Sequence, residues 1–300
     1  MTLARLFTVA ALSIPLAQAS VGVPNLSGWT LTWSDDFTGA AGSLPSSDNW
    51  LIDTGTSYPG GAANWGTGEV QTYTADPANL SLDGKGVLKI TALKGGACGG
   101  SGQWTSARIE TRRTDFACKA GGMMRIEASL NLPNVANGVG YWPAFWTLGS
   151  PFRGNYWNWP SIGEFDIMEN VNSVDRVWAT MHCGSNPGGP CKETTGFGNY
   201  KDCPGKPCQG NFHKFTFEID RTKSVEAARW YVDDIIYWQI LSTDLPADVW
   251  AQTAHNNVFI LLNLAMGGSF PDGNYGAKTP LESTVSGGVY QIDYVAVYNK

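Results

Sequence analysis

The chain has 300 residues, of which 43% are hydrophobic and 15% charged, and its formal net charge is −6. This composition provides ample material for a folded core and argues against a disordered chain. The negative charge and the absence of a basic run argue against nucleic acid or an anionic membrane as a partner, so a neutral ligand fits better. The abundance of glycine and tryptophan (36 and 13 residues) indicates many short strands, tight turns and an aromatic-lined groove.

The first segment has the features of a secretory signal peptide. Arg5 precedes an apolar run over residues 6–16, and Ala17-Gln18-Ala19 forms a small-x-small cleavage site. We therefore predict a signal peptide over residues 1–19 and a secreted protein with one domain over residues 20–300. A buried N-terminal strand or helix is the alternative interpretation. No other stretch is long enough to suggest a membrane span.

The six cysteines form an even set, and disulfides are their expected state in an oxidising compartment. Short spacing favours a bridge between Cys98 and Cys118, because near neighbours lose the least chain entropy on pairing. It also predicts two bridges among Cys183, Cys191, Cys203 and Cys208. A zinc site is the alternative, but the spacing provides no two close Cys-x-x-Cys pairs. Two sequons, at Asn25 and Asn79, predict N-glycosylation.

Short apolar segments separated by turn residues predict β-strands along the whole chain. Residues 79–82 and 87–92 flank the turn Asp83-Gly84-Lys85-Gly86 and predict a hairpin. The nearly continuous apolar run 258–264 predicts a strand buried on both faces. Further strands are predicted over 29–33, 107–112, 122–130, 177–182, 212–220, 228–232, 235–241 and 289–298, and a short helical turn over 242–250. Many short strands with regular turns predict a sandwich or a barrel.

The most unusual stretch is Gly163-Glu164-Phe165-Asp166-Ile167-Met168-Glu169, in which three carboxylates alternate with apolar residues. This pattern predicts a strand with one buried face. Because side chains alternate with period two, Glu164 and Asp166 share a face and Glu169 falls on the opposite one. A β-bulge near Ile167 and Met168 would return Glu169 to the face of the other two. The sequence therefore predicts a bulged strand that lines a groove with three carboxylates.

Paired carboxyl groups are the chemistry of glycosidic bond cleavage, in which one is a proton donor and the other a nucleophile or base. A retaining enzyme needs them about 5–5.5 Å apart. A flat strand would separate the Cα atoms of Glu164 and Glu169 by roughly 13–16 Å, so a concave bend is also expected. Asp166, which lies between them, would help to keep a proton on its neighbour. A solvated edge strand or a calcium site is the alternative interpretation.

Four tryptophans, Trp142, Trp146, Trp157 and Trp159, precede the acidic stretch. A flat aromatic surface beside carboxylates suits the apolar face of a sugar, although each tryptophan taken alone could belong to the core. His182 ends the next predicted strand and could face the same groove or have a structural role, and the same two interpretations apply to Arg108.

Trp142-Pro143-Ala144-Phe145-Trp146, followed by the acidic stretch, strongly resembles glycoside hydrolase family 16, in particular secreted β-1,3-glucanases of the laminarinase type. The resemblance covers nearly the whole mature chain. It implies an all-β fold, a curved β-jelly-roll sandwich of two antiparallel sheets with an open substrate cleft. It also implies a retaining double displacement, with Glu164 as nucleophile, Glu169 as acid/base and Asp166 as their assistant.

The same resemblance implies that Trp142, Trp146 and His182 contact sugar and that Arg108 lies beside the cleaved residue. It implies a structural calcium at Asp36 and Asp293, with no cofactor for catalysis. We expect a secreted monomer that hydrolyses β-1,3- or mixed β-1,3/1,4-glucan. The alternatives are a transglycosylase of the same fold and a non-catalytic β-glucan-binding lectin. The cysteine-rich loop over residues 183–208 departs from the family pattern and leaves the cleft length open.

Overall fold

The computed structural model describes residues 22–95 and 103–300. The predicted signal peptide and Cys98 lie outside these residues. In the described ranges the strands are β1 (Thr30–Asp35), β2 (Trp50–Asp53), β3 (Gln71–Tyr73), β4 (Leu80–Leu82), β5 (Leu88–Lys94), β6 (Trp104–Ser106), β7 (Arg108–Thr111), β8 (Met123–Asn131), β9 (Tyr141–Gly149), β10 (Glu164–Glu169), β11 (Val177–His182), β12 (Phe197–Lys201), β13 (Phe212–Asp220), β14 (Ala227–Val232), β15 (Ile235–Leu241), β16 (Val258–Met266) and β17 (Gly288–Asn299). The α-helices are α1 (Ala247–Ala254) and α2 (Ser269–Tyr275), and 3₁₀ turns cover Ala63–Gly66, Ser150–Phe152 and Ser242–Asp244.

The strands form two sheets, which makes the fold a β-jelly-roll sandwich as predicted. The larger sheet has the order β15-β14-β13-β8-β17-β5-β6-β3, with β1 paired to β17 and β4 paired to β5. The smaller sheet has the order β12-β11-β10-β9-β16-β7-β2, so the acidic strand β10 is an inner strand. Pairing between these strands is antiparallel except between β3 and β6, which run parallel.

The core lies between the two sheets, where alternate residues of each strand interdigitate. Phe165 of β10 packs on Phe217 of β13 with ring centroids 4.6 Å apart. Phe217 in turn contacts Trp230 of β14 at 4.8 Å. This aromatic group joins the acidic strand to the larger sheet and fixes which face of β10 points outward.

The strand predictions are confirmed, including the β4–β5 hairpin and the strand at β16, which is buried along its whole length. The helical turn at 242–250 is also confirmed, as the 3₁₀ turn Ser242–Asp244 and the start of α1. The elements that were not predicted include the strands β2, β3, β9 and β12 and the helix α2. The strand β12 lies inside the cysteine-rich loop, and α2 contains Pro271 and Gly273, which obscure a helical pattern.

The disulfides are Cys183–Cys191 and Cys203–Cys208, which confirms two bridges among those four cysteines and excludes the zinc alternative. Cys118 is a buried thiol without a disulfide partner in the described residues, and because Cys98 lies outside them, a bridge between Cys98 and Cys118 remains a prediction. The Sγ of Cys118 lies 3.4 Å from the carbonyl oxygen of Ile219, within the core.

The prediction of a glycan at Asn79 is wrong. The side chain of Asn79 is buried, and its Nδ2 donates to the carbonyl oxygen of Thr91 at 2.9 Å. Asn25 is exposed and remains a predicted glycosylation site. None of the helices in the described ranges has the length and apolarity that a bilayer span requires.

Candidate active site

The outer face of the smaller sheet brings the acidic residues and their aromatic neighbours together. Glu164 of β10 lies opposite His182 of β11, and Asp166 lies opposite Thr180. On the other side of β10, Asp166 lies opposite Trp146 of β9. Directly opposed side chains of antiparallel strands share a face. The sheet therefore presents these side chains as one surface, which we call the cleft face.

A β-bulge turns Glu169 onto the cleft face, as the sequence predicts. Between Asp166 and Met168 the register against β9 shifts by one residue, which leaves Ile167 as the extra residue. The register against β11 shifts at the same place. Ile167 and Met168 are both fully buried. Two successive side chains thus enter the core, and Glu169 faces the same way as Asp166.

An indole from the larger sheet stabilises this bulge. Trp230 donates from Nε1 to the carbonyl oxygen of Asp166 at 3.0 Å. A bulge interrupts the ladder of backbone hydrogen bonds, and a buried carbonyl without a partner destabilises a fold by about 1–3 kcal/mol. Trp230 therefore gives the bulged strand a hydrogen-bond donor from the opposite sheet.

Each glutamate accepts a hydrogen bond from its own tryptophan. Trp159 Nε1 donates to Glu164 Oε2 at 3.0 Å. Trp142 Nε1 donates to Glu169 Oε1 at 2.9 Å. Both carboxylates are therefore held in fixed positions, which is the preorganisation that proton transfer and nucleophilic attack require.

His182 lies beside Glu164 and Asp166. Its Nε2 is 3.4 Å from Asp166 Oδ2 and 3.9 Å from Glu164 Oε1. Its Nδ1 is 2.7 Å from Glu193 Oε2, a carboxylate from the cysteine-rich loop. The imidazole therefore bridges three carboxylates, and its predicted contact with sugar remains a prediction.

Burial is the main cause of the shifted pKa values in this site. Burial, and then the negative charge of Asp166, raises the pKa of Glu164 to about 8. The same two causes raise the pKa of Glu169 well above its ordinary value. Burial lowers the pKa of His182, but hydrogen bonds to Asp166 and Glu193 outweigh it, and the net shift is strongly upward. The site thus combines protonatable carboxyls with an imidazolium near neutral pH.

A model of a family 16 catalytic domain, described as XgeA-like, matches residues 105–208. A β-glucanase from Rhodothermus marinus is 31% identical over 284 residues, which cover 90% of this chain and 85% of that protein. A glucan endo-1,3-beta-glucosidase from Cryptopygus antarcticus is 30% identical and covers 89% of this chain and 91% of its own length. The crystal structure of an endo-1,3-beta-glucanase from Streptomyces sioyaensis has 51% identity and a TM-score of 0.88, and covers 93% of this chain and 99% of that one. The chain belongs to glycoside hydrolase family 16.

Arg108 of this glycoside hydrolase is buried at one side of the cleft face. Its guanidinium lies 4.9 Å from the Trp146 ring centroid and 4.5 Å from that of Trp65. Its Nε forms an ion pair with Asp53 at 3.1 Å, and Tyr58 accepts a further hydrogen bond at 2.9 Å. Arg108 thus supports Trp146 through a cation–π contact. Its position beside the cleaved sugar remains a prediction.

The four predicted tryptophans have different surroundings. Trp142, Trp146 and Trp159 are partly buried around the acidic motif. Trp157 is 71% exposed, and its Nε1 donates to the carbonyl oxygen of Gly60 at 2.8 Å. Trp157 therefore lies on the loops at the side of the cleft face rather than next to the carboxylates.

A buried polar network that the sequence pattern does not reveal positions Trp146. Asn263 of β16 accepts from Trp146 Nε1 at 2.8 Å and donates to Tyr73 OH at 3.0 Å. Tyr73 OH donates to Glu69 Oε2 at 2.9 Å, and Gln71 donates to the same oxygen at 2.6 Å. These partners are distant in sequence, and only the asparagine within an apolar strand signals them.

The part of the cleft face formed by β16 is covered. Leu261 lies opposite Trp146, so it points to this face, yet it is fully buried, as is Phe259. Both pack with Phe152 and Trp159 from the loop over residues 150–163.

A second loop, over residues 54–70, joins the first. The rings of Tyr58 and Tyr156 stack with centroids 4.3 Å apart, and the hydrogen bond from Trp157 to Gly60 joins the same two loops. The exposed part of the cleft face therefore ends at Trp146.

The predicted calcium ligands lie away from the cleft face. Asp36 is exposed after β1, and its Oδ1 accepts from the backbone N–H of Thr38 at 3.2 Å. Asp293 is buried within β17. In the part of the chain that the structure describes, neither belongs to a group of three converging acidic, cysteine or histidine side chains. Calcium binding at these two residues remains a prediction.

Proposed function

We propose that this glycoside hydrolase is a secreted, monomeric, retaining endo-β-glucanase that cleaves β-1,3-glucan or mixed β-1,3/1,4-glucan. The observation that carries the proposal is the bulged strand β10, with Glu164, Asp166 and Glu169 on one face. The names of the β-glucanase and endo-1,3-β-glucanase relatives support the substrate class. The outward tryptophans beside these carboxylates supply the apolar surface that a glucose ring needs.

In the first step, the Glu164 carboxylate attacks the anomeric carbon while Glu169 gives its proton to the departing glycosidic oxygen. Of the two glutamates, Glu164 suits the nucleophile, because the Trp159 N–H and the nearby His182 oppose the rise of its pKa that burial and Asp166 cause. In the second step, Glu169 takes a proton from water, and the resulting hydroxide oxygen displaces Glu164 from the anomeric carbon. The sugar is released with its original anomeric configuration, and both glutamates return to their starting states.

Asp166 lies between these two glutamates, and its role is electrostatic. It is 6% exposed, and its negative charge acts against ionisation of both neighbours. A proton is therefore kept on Glu169, which has no imidazole as close as the one beside Glu164. The positive charge of protonated His182 offsets the negative charges of Asp166 and Glu164.

The test compares Glu164→Gln, Glu169→Gln and, as a matched control, Glu282→Gln, which changes a fully exposed glutamate. We expect a loss in kcat on laminarin of about 10²–10⁴-fold for Glu169→Gln and a loss at least as large for Glu164→Gln. Glu282→Gln should match the unchanged enzyme. Reducing-sugar release gives the rates, and proton NMR of the first product gives its anomer. Undiminished release by Glu164→Gln, or an inverted first product, would overturn the mechanism.

Product analysis separates the alternatives. Hydrolysis yields only chains shorter than the oligosaccharide supplied, whereas transglycosylation also yields longer ones. A lectin would bind laminarin without releasing reducing sugar. The intact acidic motif favours catalysis, because binding alone has no need of a proton donor paired with a nucleophile.

A further inference from the structure

The cysteine-rich loop encloses the imidazole of His182. The ring of Trp159 lies on one side, with centroids 5.4 Å apart. Gly196 lies on another side, so close that a Cβ there would come within 2.8 Å of the His182 Cε1. A side chain at Gly196 would therefore displace the ring. Glu193 approaches Nδ1, and Asp166 approaches Nε2, so the ring has one orientation in which both nitrogens face carboxylates.

Two acceptors on opposite sides of an imidazole select its charged form. A neutral ring has one N–H and would direct a lone pair at one of the two carboxylates. An imidazolium donates from both nitrogens, to Glu193 at 2.7 Å and towards Asp166 at 3.4 Å. The contacts thus fit a cation at His182.

The Glu193 side chain is held in place by burial and hydrogen bonds. Its carboxylate is fully buried, and its second oxygen accepts the backbone N–H of Cys183 at 2.9 Å. A buried carboxylate is unfavourable unless it is paired and hydrogen-bonded. Both oxygens of Glu193 are paired, one to the imidazole and one to the backbone at the Cys183–Cys191 bridge.

We propose that Glu193 is a positioning residue for catalysis, which holds His182 as an imidazolium against Asp166 and Glu164 and thereby favours the ionised nucleophile. This inference rests on the proposed function of Glu164. Glu193 contacts the reacting groups through His182, and its own negative charge also acts, as a smaller effect, against ionisation of Glu164.

The charged groups around His182 are Glu164, Asp166 and, farther along β10, Glu169, together with Glu193 from the loop. Removing the charge of Glu193 leaves the three β10 carboxyls in place. His182 would then hold its proton less tightly. The positive charge of His182 lowers the pKa of Glu164 more than the negative charge of Glu193 raises it. Loss of both charges would therefore raise the pKa of Glu164, and the acid limb of kcat/KM would move to higher pH.

The test is Glu193→Gln, with Glu193→Asp as the conservative variant. In Glu193→Gln one side-chain oxygen becomes an NH₂ that faces a donor, either the Cys183 N–H or the His182 N–H. We expect kcat at neutral pH to fall about tenfold, with KM little changed and the acid limb shifted upward by about one unit. Glu193→Asp, which keeps the charge, should restore part of the shift.

A matched control is Asp233→Asn. Asp233 contacts Nδ1 of His213 at the same distance, 2.7 Å, but lies away from the cleft face. The Asp233→Asn substitution should leave the pH profile of kcat/KM unchanged. The chain has three histidines, so proton NMR can follow each imidazole, with His213→Asn and His255→Asn used for assignment. Glu193→Gln should lower the pKa of His182, and Asp233→Asn should not.

An unchanged pH profile and His182 titration in folded Glu193→Gln, verified by its melting curve, would overturn the inference. A lower melting temperature with unshifted limbs would overturn it too, because that result describes a purely structural role. Failure of the proposed function is a separate result, in which the unchanged enzyme releases no sugar from laminarin. The NMR titration measures the effect of Glu193 on the pKa of His182 whether or not the enzyme releases sugar.

Discussion

At the scale of single residues, two chemically identical side chains, Glu164 and Glu169, have different surroundings. The Glu169 side chain is buried and that of Glu164 is 14% exposed, and both lie near Asp166, but Glu164 also has His182 within 3.9 Å. Differences of this kind assign separate acid and nucleophile roles to two carboxyls in one site.

Asp166→Asn tests the electrostatic role of the middle carboxylate. Because its negative charge raises the pKa of both Glu164 and Glu169, its removal should lower both values. The bell-shaped profile of kcat/KM should therefore move to lower pH on both limbs, and kcat at neutral pH should fall about 10²-fold as Glu169 loses its proton. A pH series on laminarin measures the limbs. A loss of rate with unmoved limbs would contradict the role.

Sequence alone predicts the local part of this arrangement and not the distant part. The face of Glu164, Asp166 and Glu169 follows from strand periodicity and one bulge, which are properties of adjacent residues. Trp230 contacts Asp166 from 64 positions away, across the core. Glu193 lies in a loop with no periodic pattern. Such contacts arise from tertiary packing, which no local pattern encodes.

At the scale of elements, the bulge in β10 places Glu164 and Glu169 on one face although an odd number of positions separates them. Glu164 and Glu169 are five positions apart, and Ile167 absorbs the extra residue. The sequence predicts this element well because its physical rule is strict. It predicts β12 poorly, since glycine and asparagine there indicate a turn.

Deletion of Ile167 should convert β10 into a regular strand in which Glu169 is four positions from Glu164 and still on the cleft face. We expect a protein that still folds but melts at a lower temperature. Its activity on laminarin should fall about 10–100-fold, because the position of Glu169 shifts. Deletion of Phe165, the matched control, should move Glu164 into the core and abolish activity. Circular dichroism melts verify folding. Equal loss in both folded variants would contradict the role of the bulge.

At the scale of the whole molecule, the smaller sheet holds β10 between β9 and β11, while loops decide how much of the cleft face is exposed. The general architecture was predictable, because short alternating strands have few ways to bury their apolar faces. The loops were not, since their packing depends on aromatic contacts such as Tyr58 on Tyr156.

The covered surface at Leu261 predicts a preference for bent substrates. Successive β-1,3 bonds curve a glucan chain, whereas β-1,4 bonds keep it straight. A straight chain laid across the strands would meet the loop over residues 150–163. We expect rates that fall from laminarin to lichenan and vanish on a soluble β-1,4-glucan and on agarose, measured as reducing-sugar release. Comparable rates on the β-1,4-glucan would contradict this prediction.

The same covered surface has a consequence for the products. The exposed floor ends at Trp146, next to the acidic motif, while towards β12 it continues past Trp178 to Tyr200, which is 53% exposed. More sugar units would therefore bind on the β12 side of the cut bond than on the side of Trp146. An internal cut at this position would hold the longer part of the bound segment on the β12 side.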